Sequence, residues 1–294
     1  MPIPIENVYY LLCYAWNKLD EKDQVRISID GKTKLVDLFT KVLINGCKIL
    51  LKQGLERNYI EETIEVAGIK GKLELGPTIK SGLLFKQRTV CSLDEYSYDI
   101  LTNRILLSTL YSLLRIKEVD VNLHGQVKEI IRRFSGITPI ELNKRHFATV
   151  HLHRNNRIYG FLMNVCHTIF ENSLPSEEKG RWLFKDFIHD KKKMNRLFEA
   201  FLFNFYKIEF PKWKVRKEYI YWKFNSFSDS TLSFLPRMET DISIYTPDEK
   251  IIVDAKYYPE VFTSRFESKK LHPHNLYQIF SYLINQRENT FLTN

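Results

Sequence analysis

Residues Met238–Tyr258 read METDISIYTPDEKIIVDAKYY. Two β-rich runs, METDISIY and KIIVDAKYY, flank the short segment TPDE, where Pro247 and Asp248 suit a type I turn because proline pre-sets φ. The stretch therefore predicts an antiparallel hairpin with Thr246–Glu249 as its loop. With that loop Tyr245 faces Lys250, Asp241 lies opposite Asp254 and Glu239 opposite Lys256. Side chains alternate along a strand, so these four charged groups share one face. Opposed Cβ atoms sit about 4.5–5.5 Å apart, and two carboxylates that close repel unless a cation lies between them. Ile251, Ile252 and Val253 form an apolar run that predicts a buried strand, from whose end charges rarely emerge without a partner. Two readings stay open on residue chemistry alone. One is a surface hairpin with a solvated acidic and basic face. The other is a site for Mg²⁺, which takes oxygen ligands, commonly one or two carboxylates completed by water and phosphate. In that second reading Asp241 and Asp254 supply carboxylates, the Ala255 carbonyl adds an oxygen, and Lys256 lies near a metal-bound water or the scissile phosphate.

Working outward, an Asp, a strand ending Asp-x-Lys and a helix carrying Gln278 resemble the PD-(D/E)xK nuclease motif. Six stretches in order resemble McrC, the nuclease subunit family of McrBC-type modification-dependent restriction systems. They are PIENVYYLLCYAW (Pro4–Trp16), GIKGKLEL (Gly68–Leu75), DILTNRILLSTL (Asp99–Leu110), LPRMETDI (Leu235–Ile242), IIVDAKYY (Ile251–Tyr258) and NLYQIFSYL (Asn275–Leu283). The resemblance implies a mixed α/β chain. Residues 1–150 would form a helical and β-barrel-like domain docking on a partner, and residues 151–294 a PD-(D/E)xK nuclease core. It implies Asp241, Asp254, Lys256 and Gln278 as catalytic residues, with Gln278 projecting into the site. Glu199, on the first core helix, either joins the metal or is a plain solvent-exposed carboxylate. McrC-like chains continue past the Gln278 helix with further strands, so a chain ending at Asn294 is expected to have a core truncated at its C-terminus.

The implied activity is Mg²⁺-dependent endonucleolytic cleavage of double-stranded DNA containing modified cytosine. It would operate only with an McrB-like AAA+ GTPase ring, which binds the GTP and which this chain would stimulate. The sequence contains no GxxxxGK[ST] loop, in keeping with nucleotide hydrolysis on another subunit. The alternative is a truncated, non-catalytic adaptor that activates the GTPase without cutting. A standalone DNA-binding module explains the charge but not the aligned acidic face.

Composition agrees with these classes without selecting one. The 294 residues carry a formal net charge of +9, which favours an anionic partner. The four cysteines, Cys13, Cys47, Cys91 and Cys166, are too widely spaced for a zinc motif and mostly sit among apolar residues, so buried reduced thiols and a cytoplasmic location are expected. No signal peptide and no membrane-spanning run are read.

Along the chain, periodicity predicts helices at Ile5–Lys18, Leu35–Gln53 (stopped by Gly54), Asp99–Ile116, Gln126–Phe134, Ile158–Asn172, Lys191–Ile208 and Asn275–Gln286. Strands are expected at Asn58–Val66, Lys70–Leu75, Leu83–Cys91 and Trp213–Trp222, with a loop at SLPSEEKG after Asn172. Asp99 and Arg104 predict an internal salt bridge or cap. In KRHFATVHLHRNNR (Lys144–Arg157), His151 and His153 alternate as ligands on a strand would, but no acidic or Cys partner is near, so a solvated basic face or phosphate contact is the better reading. Ser264–His274, with Arg265, Lys269 and Lys270, reads as a basic loop able to follow a DNA backbone. On the last helix Leu276, Ile279, Phe280 and Leu283 are expected to form the buried face.

Overall fold

The computed structural model describes residues 4–20, 33–152, 156–178, 180–223, 235–258, 263–265, 268–270 and 272–286. It resolves into two compact units. One runs over Asp23–Lys185, and the other joins Met1–Lys22 to Asp186–Asn294. The first helix, α1 (Ile5–Ala15), belongs to the second of these, against the expected division at 150/151.

The 23–185 unit is built on α2 (Leu35–Gln53), an amphipathic helix whose Leu38, Phe39, Val42 and Leu43 are fully buried. Gly54 ends it at φ 93°, a left-handed conformation that a side chain would strain. Next, β1 (Asn58–Ala67), β2 (Lys72–Leu73), α3 (Leu75–Lys80) and β3 (Arg88–Ser97) give an antiparallel sheet in the order β1-β3-β2. Among the described residues it does not close into the barrel that was expected. The anticipated strand from Leu83 begins as a 3₁₀ turn, Leu83–Lys86, because Gly82 and Gln87 on either side take positive φ; extended pairing starts only at Arg88.

There follow α4 (Leu101–Arg115), α5 (Val121–Arg132), α6 (Lys144–Ala148) and α7 (Arg157–Asn172). The α7 helix packs on both α2 and α4, burying Phe161, Leu162, Val165, Cys166 and Ile169 completely. Its approach to α2 is so close that a Cβ on Gly46 would lie 2.4 Å from a Leu162 methyl. That packing carries the boundary past residue 151, to Lys185. The expected loop after Asn172 is a hairpin of β4 (Ser173–Pro175) and β5 (Trp182–Phe184). Asp99 grips the Arg104 guanidinium with both oxygens at 2.7 Å and accepts from the Thr138 N–H and hydroxyl at 2.8 and 2.9 Å. The Arg104 hydrogen bond leads in holding its carboxyl down at about 2, as the expected internal salt bridge requires.

In the second unit α8 (Lys191–Glu209) lies along α1. The Asn204 amide donates to the carbonyls of Tyr14 and Ala15 at 2.9 and 3.0 Å, closing the open end of α1, and Tyr14 donates to Glu209 at 2.7 Å. The strands are β6 (Lys214–Arg216), β7 (Tyr219–Ile220), β8 (Met238–Glu239), β9 (Ile242–Tyr245), β10 (Lys250–Val253), β11 (Thr263–Arg265) and β12 (Ser268–Lys270). They precede α9 (Pro273–Gln286). The central sheet runs β10-β9-β6, while β7 pairs with β8 and β11 with β12. Part of the basic stretch 264–274 is thus a β-ribbon rather than a loop; its Arg265, Lys269 and Lys270 side chains, like His153 and Arg154, lie outside the described residues. All of the cysteines are buried and free. Among the described residues no helix is long and apolar enough to cross a membrane.

Candidate functional site

The hairpin has the register that its turn dictates. Lys250 pairs with Tyr245, Ile251 with Ile244, Ile252 with Ser243 and Val253 with Ile242. The Thr246 hydroxyl accepts from the Asp248 and Glu249 amides, at 3.3 and 3.0 Å, and fixes the loop. Burial differs from expectation: Ile242, Ser243 and Ile244 of β9 are the buried strand, whereas Ile251–Val253 are half-buried.

METDISIY is not one strand. Residues 214–216 pair with 243–245, and residues 219–220 pair with 238–239. Two residues, Lys217 and Glu218, therefore span the same gap as three, Thr240, Asp241 and Ile242. The extra residue makes a β-bulge, which bends a strand and re-aims a side chain. Glu218 accepts from the Thr240 amide at 2.9 Å, and the Thr240 hydroxyl accepts from the Glu218 amide at 3.1 Å. Fully buried Thr240 also bonds the Ser243 hydroxyl at 2.9 Å. The Glu218 carboxylate is tied to Lys250 at 2.7 Å and accepts from Tyr245 at 2.6 Å. Burial opposes its charge, but the Lys250, Tyr245 and Ser243 hydrogen bonds prevail and bring its pKa to about 2.

The bulge delivers Asp241 to the end of β10, where its Oδ2 accepts from the Ala255 N–H at 2.8 Å. The Lys256 ammonium bonds Asp254 at 2.7 Å and stands 3.7 Å from Asp241. Lys256 therefore does not lie across from Glu239, as the unbroken strand predicted, but neutralises the two aspartates. Asp254 is the most enclosed of the three, with 4% of its side chain exposed. Burial raises the Asp241 pKa, helped by Glu199 and Asp254 and opposed by the Ala255 amide and Lys256. Burial also works against the Lys256 charge, but Asp254 and Asp241 overcome it and raise its pKa.

Glu199, on α8, is close enough to influence Asp241 and is held by Lys217 in an ion pair. One helical turn earlier the Asn195 carboxamide oxygen accepts from the Tyr257 N–H at 2.7 Å, fixing the backbone just past Lys256. Gln278 donates to the Tyr282 hydroxyl at 2.7 Å, and Tyr282 donates to the Glu239 carbonyl at 2.9 Å. Tyr282 is 4% exposed and feels Asp254, Asp241 and Lys256, so Gln278 stands beside the cluster through it. Of the four residues expected on the buried face of α9, only Ile279 packs against the core, beside Ile220, Met238 and Tyr282. Tyr282 and Asn285 are its buried residues, and Leu276, Phe280 and Leu283 are 52%, 61% and 49% exposed. His272 stacks on Tyr258 with ring centres 4.4 Å apart, and His274 lies 3.3 Å from the Tyr258 hydroxyl.

Among the described residues no group of three or more His, Cys, Asp or Glu side chains could hold a metal ion. The donor set at the hairpin end is a carboxylate pair, Asp241 and Asp254, with Glu199 turned to Lys217. Such a pair fits Mg²⁺, which keeps most of its waters and takes one or two protein carboxylates. Of Ala255, the group engaged in the structure is the N–H; the carbonyl role expected of it is not part of that bond. Asn195, Lys217, Thr240 and Tyr282 were not assigned to the site from sequence. The only available signals were helical spacing, Asn195 four residues before Glu199 and Tyr282 four after Gln278.

Fold and site together define a mixed α/β protein whose hairpin end gathers two aspartates around one lysine. A profile of the family described as McrBC 5-methylcytosine restriction system component matches residues 6–292, and the chain belongs to that family. It is 37% identical over 281 residues to the type IV methyl-directed restriction enzyme EcoKMcrBC of Escherichia coli K12, covering 96% of this chain and 81% of that protein. The refined half-complex of Thermococcus gammatolerans McrB AAA+ hexamers with bound McrC shares the fold. It has a TM-score of 0.52 and 20% identity over 96% of this chain. The cryo-EM structure of the T. gammatolerans McrBC complex is also similar, at 24% identity and a TM-score of 0.48 over 69% of this chain. The chain spans 63% and 57% of those two structural relatives.

Proposed function

We propose that this chain is the DNA-cleaving subunit of a modified-cytosine-dependent restriction system. It acts with an McrB-like AAA+ GTPase ring, stimulates that GTPase and cuts double-stranded DNA by Mg²⁺-dependent phosphodiester hydrolysis. The observation that carries the reading is the Asp241–Lys256–Asp254 cluster at the end of a correctly registered hairpin. Mg²⁺ held by Asp241 and Asp254, with the Ala255 carbonyl or Glu199 as further oxygens, would supply a Lewis acid for the phosphate. Lys256 keeps its proton beside Asp254 and so offers a fixed positive charge for orienting water and for charge that develops on the phosphate. Gln278, held by Tyr282, positions water or phosphate through its remaining amide atoms. The buried free thiols support a reducing, cytoplasmic setting.

A non-catalytic adaptor is the second reading, and the exposure of Leu276, Phe280 and Leu283 on α9, the helix that carries Gln278, favours it among the described residues. The two separate on one assay: nicking of a plasmid carrying modified cytosine, with the GTPase partner, GTP and Mg²⁺. Metal-dependent nicking supports the nuclease; stimulated GTP hydrolysis without any nicking supports the adaptor.

A further inference from the structure

The first turn of α8 carries Lys191, Lys192 and Lys193, with Arg196 one turn on. Cations are unfavourable at a helix N-terminus, where the macrodipole is positive. Asp190 offsets part of this by capping, accepting from the Lys192 and Lys193 amides, both at 3.1 Å. Three lysines in the worst place for a cation are a local conflict of the kind found where function sets the sequence.

Their placement gives that conflict a direction. Asn195 and Glu199 are one turn apart and face the hairpin, the first through Tyr257 and the second through Lys217 beside Asp241. Lys191 precedes Asn195 by four residues, so Lys191, Asn195 and Glu199 fall on one stripe of the helix. Lys192 and Arg196 form the adjacent stripe. Lys191, Lys192 and Arg196 are exposed, and among the described residues none of the three makes an ion pair. From Lys191 to Glu199 is about 12 Å along the axis, roughly three to four base-pair steps of duplex.

We propose that Lys191, Lys192 and Arg196 form the surface on which the phosphate backbone of duplex DNA rests as it enters the hairpin site. This rests on the nuclease reading of that site and adds to it the element that holds the substrate. Neutralising phosphates releases counterions, so each contact appears as a steeper dependence of affinity on salt. A ridge near the cut also offsets the repulsion between DNA and the Asp241, Asp254 and Glu199 carboxylates.

The test is metal-free binding of the full-length chain to a 30-base-pair duplex, followed by fluorescence anisotropy between about 50 and 200 mM salt. The K191Q/K192Q/R196Q variant is compared with K128Q/R132Q/R133Q, which removes the same charge from exposed positions on the last turns of α5 and its C-cap. The α8 variant should bind about ten-fold or more weakly at low salt and lose about 2 to 3 units of the log–log salt slope, while the α5 variant keeps the parental slope. Its Tm should be unchanged or higher, because the dipole conflict is relieved. A parental slope in the α8 variant, an equal loss in both variants, or loss of GTPase-partner binding with DNA binding intact would each overturn the proposal. The binding assay contains no metal, so it can fail while metal-dependent cleavage stands, and cleavage can fail while the slope difference stands.

Discussion

A fragment ending at residue 149 should not fold, although the resemblance implied a domain boundary at 150/151. It lacks α7, which packs on both α2 and α4. Phe161, Leu162, Val165 and Ile169 are each fully buried on that helix. At about 1.5–3 kcal/mol per large apolar side chain, their loss removes roughly 6–12 kcal/mol. A whole domain is typically stable by about 5–15 kcal/mol, so little or nothing remains. Residues 23–185, in contrast, retain α7 and give up only α1, whose partner α8 belongs to the other unit. Circular dichroism thermal melts of the two fragments read the difference directly. The 23–185 fragment should unfold cooperatively and the 1–149 fragment should show no transition. Equal melting temperatures would refute the reasoning that α7 completes this core.

Other outcomes follow from the second unit. Thr240→Val strips the bulge of its acceptor for the Glu218 amide and of its Ser243 partner, and should cost about 1–3 kcal/mol in chemical denaturation and shrink the rise in Tm that the proposed metal site predicts on adding Mg²⁺. Asp241→Asn keeps an acceptor for Ala255 but removes a charge that burial disfavours, so without metal its Tm at neutral pH should exceed the parent's; a lower value would contradict the burial argument. Asp99 has a folded pKa of about 2 against 3.8, so its contribution is complete above the higher value and disappears as pH falls through the lower. That contribution is roughly 2 kcal/mol, and Asp99→Asn should flatten the stability profile of the 23–185 fragment between about pH 4 and 2.

What the sequence disclosed was local. TPDE sets a tight loop, and loop length sets register, so the pairing of Lys250–Val253 with Ile242–Tyr245 could be read from the residues. The bulge could not, because it depends on counting Thr240–Ile242 against a partner, Lys217–Glu218, that lies upstream and is apolar or charged without a turn signal. The result reassigns Lys256 from Glu239 to the aspartates while leaving Asp241 and Asp254 together. On α9, hydrophobicity pointed to Leu276, Ile279, Phe280 and Leu283, but only Ile279 of these packs on the Ile220–Met238 cluster; Tyr282 joins that cluster and donates to the Glu239 carbonyl, and Asn285 accepts from the Lys223 N–H. Periodicity identified α7 as a helix, yet it carries no information on which of two cores the apolar stripe will enter. The N-terminal helix was similarly assigned to its sequence neighbours rather than to α8, 190 residues away where Asn204 reaches the Tyr14 carbonyl.

The claim at the centre is that Asp254 serves cleavage and not partner activation. With the GTPase ring, GTP, Mg²⁺ and DNA carrying modified cytosine, Asp254→Asn and Lys256→Ala should both stimulate GTP hydrolysis as the parent does. Cleavage should fall by about 10²–10³ in rate or more. Normal GTP hydrolysis with cleavage lost is the expected result; cleavage by both variants at the parental rate would contradict it.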